Sequence, residues 1–380
     1  MIYRGANCFF TFCFLAVSIA SSVQANEFND SVDAIFSSID KARDPGCSVG
    51  VVADGQLIHQ AGYGLANLEL GVALDGTHIH RIGSVSKQFT AFSVLLLAEE
   101  GKIRLEDDIR SYLPELLDYG VPVSINAVLG HIGGMADYDY ISGGDEGEVE
   151  GGLNIASAAG GPFRIGNEDY LTINEFYDVV KRAPLRHPPN EKYEYSNLGY
   201  FLLSMLVEEV SGESLREYAH KRIFEPLGMD STFFSDDPVE IVKNRASGYR
   251  PDGDDYVTDM TNLFWVGDGG LHTNVEDLAK WDQHFYKPSL GQNPEQLMAQ
   301  FMTPNSVFPS GENALYANGQ NIGELNERNR VYHGGGWLGV TTHYSRYPDD
   351  RFSTIILCND VSLSPYGYSR EIEKLYFGER

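Results

Sequence analysis

The sequence predicts an α+β fold: one antiparallel sheet built from both ends of the chain, flanked by helices, with a mainly helical lobe inserted between. Three observations predict it. Strand-like runs open the chain, helical periodicity fills its middle third, and strand-like runs return near its end.

Residues 29–43 carry Val32, Ile35, Phe36 and Ile39 at helical spacing. Two apolar runs follow, 47–52 and 57–62, joined at Asp54-Gly55, a dipeptide that favours a tight hairpin. A helix is expected from Ser84 to Gly101, apolar on nearly all sides from Phe89 to Ala98 and therefore buried. Residues 172–182, 197–211 and 213–224 read as further helices. Between Tyr140 and Asn167 lies an acidic stretch with seven glycines from Gly143 to Gly161, expected as a surface loop. Thr273-Asn274-Val275-Glu276 reads as a capping box ahead of a helix carrying Leu278 and Trp281. Strands are expected at 331–333, 339–346 and 352–358, with a turn at Pro348-Asp349-Asp350, and a last helix at about 369–376. The sheet lobe then comprises about 26–83 and 271–380, and the helical lobe about 84–270.

The first 25 residues form the pattern of an export signal. Arg4 is followed by an apolar run from Phe9 to Ala20 and a small-residue end at Val23-Gln24-Ala25. The run is short for a membrane span. Cleavage is expected near Asn26, leaving no stable membrane span and a working place in the periplasm or outside the cell. Cys8 and Cys13 leave with the signal. Cys47 and Cys358 remain, each on an expected strand, as a bridge or as two buried free thiols.

Lys and Arg total 28 against 54 Asp and Glu, a net charge of -26. Such a surface repels phosphate backbones, so nucleic acid is not an expected partner. A small molecule or peptide is the expected one, and the oligomeric state is open. His78 and His80 stand two apart, and neither an H-E-x-x-H run nor a Cys/His cluster is present, so no metal and no cofactor are expected. Asp252-Gly253-Asp254-Asp255 lacks the twelve-residue calcium pattern and reads as a hairpin turn.

Three motifs carry chemistry. Ser84-Val85-Ser86-Lys87 opens the buried helix and places hydroxyl and amine on one face. A serine needs a neighbouring base, and a desolvated lysine has its pKa lowered enough to serve. Tyr195-Ser196-Asn197 opens a second helix with a phenol for proton transfer and an amide for orientation. His333-Gly334-Gly335-Gly336 ends a short strand, where glycines admit a close substrate and an N–H can join that of Ser84 in an oxyanion hole. Gly46-Cys47-Ser48-Val49-Gly50 matches the G-x-S-x-G nucleophile elbow in letters, but a helix precedes it and a strand follows, the reverse of what that turn needs.

Ser-x-x-Lys, Tyr-x-Asn and His-x-Gly in this order resemble the serine beta-lactamase and penicillin-binding protein superfamily, in its class C-like branch of D-alanyl-D-alanine carboxypeptidases, D-aminopeptidases and esterases. Arg81-Ile82-Gly83, Glu99-Glu100-Gly101-Lys102, Pro226-Leu227-Gly228-Met229 and Gly269-Gly270-Leu271 are similar too, so the likeness runs from about Pro45 to Asn359. The resemblance implies a single catalytic domain over 26–380. In it Ser84 is the acylated nucleophile, Lys87 and Tyr195 share the proton work, and Asn197, His333, Gly335 and Gly336 bind substrate. It implies an exported serine hydrolase for D-amino-acid peptides or amides, esters or beta-lactams. The alternative is a catalytically idle fold serving as a scaffold. It places the first and last strands side by side, which favours a Cys47–Cys358 bridge. Two departures stand out. His333 replaces the usual lysine, so carboxylate recognition there is expected to be weak or pH-dependent. His131-Ile132-Gly133-Gly134 stands where the family reads His-Thr-Ser-Gly, without its hydroxyls.

Overall fold

A computed structural model describes residues 26–142 (of 141–142, the backbone alone), 171–261, 264, 266–305 and 315–378. The export signal, most of the glycine-rich loop and the segment 306–314 lie outside the described residues.

Helix α1 spans residues 26–35 and continues as turns to residue 43, shorter than the helix expected over 29–43. Strands β1 (Cys47–Ala53) and β2 (Gln56–Tyr63) form the expected hairpin, and Asp54 and Gly55 both take positive φ in the turn. Five strands close the chain: β3 (Leu315–Ala317), β4 (Gln320–Leu325), β5 (Arg328–Trp337), β6 (Val340–Tyr347) and β7 (Phe352–Cys358). The seven form one antiparallel sheet in the order β3-β4-β5-β6-β7-β1-β2, so the first and last strands are neighbours. Cys47 and Cys358 face each other in that register and are disulfide-bonded.

The sheet buries both faces. On one, Cys47, Val49 and Val51 alternate inward and meet Ile356, Val32 of α1, Phe36 in the turns after it, and Ile372 of the last helix, α5 (Pro365–Phe377). On the other, helix α4 (Val275–Tyr286) brings Leu278 and Trp281 into the larger core with Val52 and Ile355. Gly50 allows this approach: a Cβ there would lie 2.4 Å from Val275 Cγ1. Helix α2 (Lys87–Glu99) is buried along its body, as its composition requires, and packs on helix α3 (Asn197–Ser211).

Three expectations need correction. The cap of α4 is Asn274, whose side chain accepts from Asp277 N at 2.9 Å, not a Thr273–Glu276 box. Thr273 ends a strand (Leu271–Thr273), and its hydroxyl is bonded to that of Thr232. The strand expected at 331–333 runs on to Trp337, so the glycine run lies within β5 rather than beyond it, and β3, β4 and a helix at Pro294–Phe301 add to the sheet lobe. The middle third also holds strands. Phe233–Phe234 pairs with Leu271–Thr273, which pairs with His80–Arg81, whereas Tyr249–Asp252 turns through Gly253 into Asp255–Thr258 as the hairpin expected there.

Candidate active site

Ser84 lies in a single 3-10 turn, Gly83–Ser86, that leads straight into α2. Three residues per turn bring positions i and i+3 into line, so Lys87 stands over Ser84. The turn is pinned from outside. The Ser86 hydroxyl donates to Gly83 O at 2.6 Å and accepts from Leu271 N at 3.0 Å, and the Thr342 hydroxyl donates to Ile82 O at 2.8 Å. Gly83 takes φ +53, and a Cβ there would sit 2.8 Å from Gly336 N, so this position needs a glycine both for its conformation and for the closeness of β5.

Lys87 is fully buried, and its Nζ faces three oxygens: Asn197 Oδ1 and Asp268 O at 2.7 Å each, and Ser84 Oγ at 3.2 Å. It also lies 4.8 Å from the Tyr195 ring centroid. Burial pushes its pKa down to about 8, and the carboxyl groups of Asp268 and Asp137 limit the fall.

Tyr195 and Asn197 flank Ser196, the N-cap of α3. The Ser196 hydroxyl accepts from Gly199 N and donates to Ala136 O, fixing the start of the helix. The Tyr195 ring lies against His131, 4.2 Å between centroids. His131 Nδ1 accepts the Ser196 N–H at 3.1 Å, so its proton sits on Nε2, which is buried without a partner among the described residues. Burial and the nearby Lys87 charge hold His131 well below the usual histidine range. The Tyr195 hydroxyl feels Ser84 but falls short of an aligned hydrogen bond to any described residue, and burial pushes its pKa up.

Along β5 the residues alternate. His333 is buried and Gly335 partly so, while Gly334 and Gly336 are exposed. A Cβ on Gly335 would lie 2.0 Å from Ile82 O, so this glycine lets the strand rest on the turn that carries Ser84. His333 Nδ1 donates to Gly334 O at 2.6 Å, and its Nε2 accepts from the Tyr316 hydroxyl at 3.2 Å. Burial brings its pKa down to about 4, so it is neutral at physiological pH.

The structure therefore gathers Ser84, Lys87, Tyr195 and Asn197 into one contact network, with His333, Gly335 and Gly336 on the strand beside it. Ser48, the other serine in a nucleophile-like motif, is buried within β1 and donates to Asp75 O at 2.6 Å. Among the described residues no group of His, Cys, Asp or Glu is placed to hold a metal ion. Four site neighbours escaped the sequence: Asp137, Asp268, His131 as the bed of Tyr195, and Tyr316. Asp137 holds Asn197, and Asp268 accepts the Tyr138 hydroxyl as well as offering its carbonyl to Lys87. Two of them left a trace: Asp268 stands inside the run Gly267-Asp268-Gly269-Gly270, and His131 opens the run His131-Ile132-Gly133-Gly134, though neither marked its contact.

A family model described as "Beta-lactamase" matches residues 32–375. The chain belongs to the beta-lactamase family. It is 26% identical over 326 residues to a D-aminopeptidase of Gluconobacter oxydans, covering 84% of this chain and 56% of that protein. It is 27% identical over 344 residues to penicillin-binding protein 4* of Bacillus subtilis, covering 86% of this chain and 71% of the relative. The octameric penicillin-binding protein homologue of Pyrococcus abyssi superposes with TM-score 0.76 at 25% identity, over 94% of this chain and 78% of that one. The chain thus spans little more than half the length of the D-aminopeptidase.

Proposed function

We propose that this chain is an exported serine hydrolase that works through an acyl-enzyme on Ser84. The observation that carries the proposal is the arrangement of oxygens around Lys87 Nζ. Asn197 Oδ1 and Asp268 O only accept, and they take the two short bonds. A neutral amine has two N–H groups for them, so its lone pair is left for the third direction, toward Ser84 Oγ. With a pKa of about 8, roughly a quarter of Lys87 is in that form at pH 7.5.

Lys87 then takes the Ser84 proton as Oγ bonds to the substrate carbonyl carbon. The carbonyl oxygen becomes an anion, held by the N–H groups of Ser84 and Gly336. On collapse the bond to the leaving group breaks. That group receives a proton through the Tyr195 hydroxyl, which stays protonated and is resupplied by Lys87. Asn197 orients Lys87 and the substrate. A water molecule then attacks the acyl carbon while Lys87 takes its proton; on collapse the bond to Ser84 Oγ breaks, Oγ regains that proton from Lys87, and the acyl group leaves as a carboxylic acid.

D-Amino-acid peptides and amides are the first substrates to try, on the strength of the D-aminopeptidase relative, with esters and beta-lactams next. The Cys47–Cys358 bridge supports a periplasmic or secreted location, because disulfides persist in oxidising compartments. The test is intact mass after incubation with a fluorophosphonate and, separately, a fluorescent penicillin. An adduct on the native chain that is lost in Ser84→Ala is the expected result. Undiminished labelling of Ser84→Ala overturns the assignment, and no adduct with either reagent favours an idle scaffold.

A further inference from the structure

We infer that Tyr138 is a positioning residue for Lys87, acting through Asp268, and that with its neighbour Asp137 it forms a two-armed brace for the base. The brace has meaning only on the acyl-enzyme reading above, which it deepens.

The two short bonds of Lys87 Nζ end on residues that are far apart in the chain. Asn197 opens α3, and Asp268 lies in the turn that leads to the strand Leu271–Thr273. Each is held by one member of a single dipeptide. Asp137 accepts from the backbone N–H and the side-chain amide of Asn197, and the Tyr138 hydroxyl donates to Asp268 Oδ2. One short stretch of chain therefore sets the distance between the two oxygens that receive the amine. That stretch is itself fixed. Ala136 O accepts the Ser196 hydroxyl at 2.6 Å, Tyr140 N donates to Asp137 O at 2.9 Å, and Met135 pairs with Leu185 in an isolated bridge.

The Asp268 side chain is the handle by which its turn is held. It is the only side chain in Gly267-Asp268-Gly269-Gly270. Thr90 Oγ1 donates to Gly267 O at 2.7 Å and Arg81 Nε to Gly269 O at 2.9 Å, so Tyr138 holds the residue between two anchored neighbours. The Tyr138 ring is boxed in as well, 5.5 Å from Trp337 and 6.4 Å from Phe176 between centroids, so the hydroxyl is presented in one place. The Asp268 carboxyl is buried and faces the Lys87 and Arg81 charges, and among the described residues its Oδ1 has no hydrogen-bond partner. Without the phenol hydroxyl a buried carboxylate loses its donor. A swing toward either cation makes good that loss, and it shifts the carbonyl that Lys87 needs.

The test is the rate of Ser84 phosphonylation on the full chain, read at the high-pH plateau, where Lys87 is neutral in every variant. Tyr138→Phe and Asp268→Ala, which keeps the carbonyl, are each expected to lower the maximal rate by about tenfold, with the half-saturating phosphonate concentration unchanged. Both cut the same tie, so the double variant is expected to lose no more than about threefold beyond either single one. Asp268→Asn still offers Tyr138 an amide oxygen and is expected to recover most of what Asp268→Ala loses. A Tyr138→Phe plateau equal to the native one overturns the inference. So do a loss that falls on the half-saturating concentration instead, losses that multiply in the double variant, and an Asp268→Asn no better than Asp268→Ala. Should Asp268→Ala fail to fold in a thermal melt, Tyr138→Phe decides alone, since it removes a single oxygen. In all these cases Ser84 is still labelled and the acyl-enzyme reading stands. A native chain that takes no phosphonate, or a Ser84→Ala chain that takes it undiminished, brings down the reading and the inference with it.

Discussion

Asp137 holds Asn197 at two points. Its Oδ1 accepts the Asn197 backbone N–H at 2.9 Å, and its Oδ2 accepts the side-chain amide Nδ2 at 3.2 Å. With Nδ2 committed, Asn197 must turn Oδ1 toward Lys87, where it is found at 2.7 Å. Asp137 is thus a positioning residue for the amine, acting through Asn197.

Asp137→Asn tests that role. The variant keeps the shape but offers an amide where Asn197 needs an acceptor, so the Asn197 side chain is released or flips. The phosphonylation rate of Ser84 is expected to fall by about ten- to a hundredfold, the range seen when an orienting partner is lost. A second readout separates this from simple loosening. The Asp137 charge raises the Lys87 pKa, so its removal moves the acid limb of the rate profile to lower pH. A limb that stays in place, or moves up, contradicts the assignment.

The native pH profile follows from the same group. In the proposed mechanism the reactive form of Lys87 is the neutral amine, and burial has brought its pKa to about 8. Phosphonylation is therefore expected to rise between pH 7 and 9 with a midpoint near 8. His333, already down at about 4, and Tyr195, pushed above its usual range, contribute no inflection there. A stopped-flow profile that is flat across this window would remove Lys87 as the base.

Gly83→Ala tests the closeness of β5 to the nucleophile. The added Cβ meets the Gly336 backbone N at 2.8 Å in a conformation with φ +53. Neither backbone can yield without moving Ser84 away from the N–H of Gly336. Labelling is expected to fall by more than about tenfold, with a stability loss of only about 1–2 kcal/mol for the left-handed residue. Thermal unfolding beside labelling kinetics separates the two effects.

The Cys47–Cys358 bridge closes a loop with sequence separation 311. Replacing both cysteines by serine is expected to cost about 2–5 kcal/mol, read as a fall in Tm by calorimetry. The native protein should show the same fall when unfolded in the presence of a reductant. A Tm indifferent to both treatments would mean that the bridge adds nothing beyond the sheet already holding these strands.

Much of this was legible in the sequence because it is written in local periodicity. The Asp54-Gly55 turn, the apolar body of α2 and the alternation of β1 each depend on near neighbours, and they announce themselves. Ser84 and Lys87 share one turn, so their meeting could be read from spacing alone. Asp137, Asp268 and Tyr316 could not. An isolated aspartate in a sequence carries no mark that it will be buried against an asparagine 60 residues away. The hairpin of β3 and β4 was missed for a different reason. Asn321, Gly323 and Glu324 dilute the apolar alternation of β4, most of whose residues are only partly buried. The α4 cap was misplaced by one residue because Thr273 is used by a strand, a claim on it that only the tertiary pairing reveals.

The sheet also sets a clock. The Thr342 hydroxyl reaches Ile82 O across 260 residues, and the last strand slots between the first strand and the rest. A growing chain presents Ser84 early, yet the backbone that would receive an anion beside it, and the strand that braces its turn, come near the end. Contacts this far apart in sequence form late and slowly. On the proposed mechanism, a fragment released before the C-terminal strands lacks both and is expected to be inert, and competence waits until the chain is nearly whole.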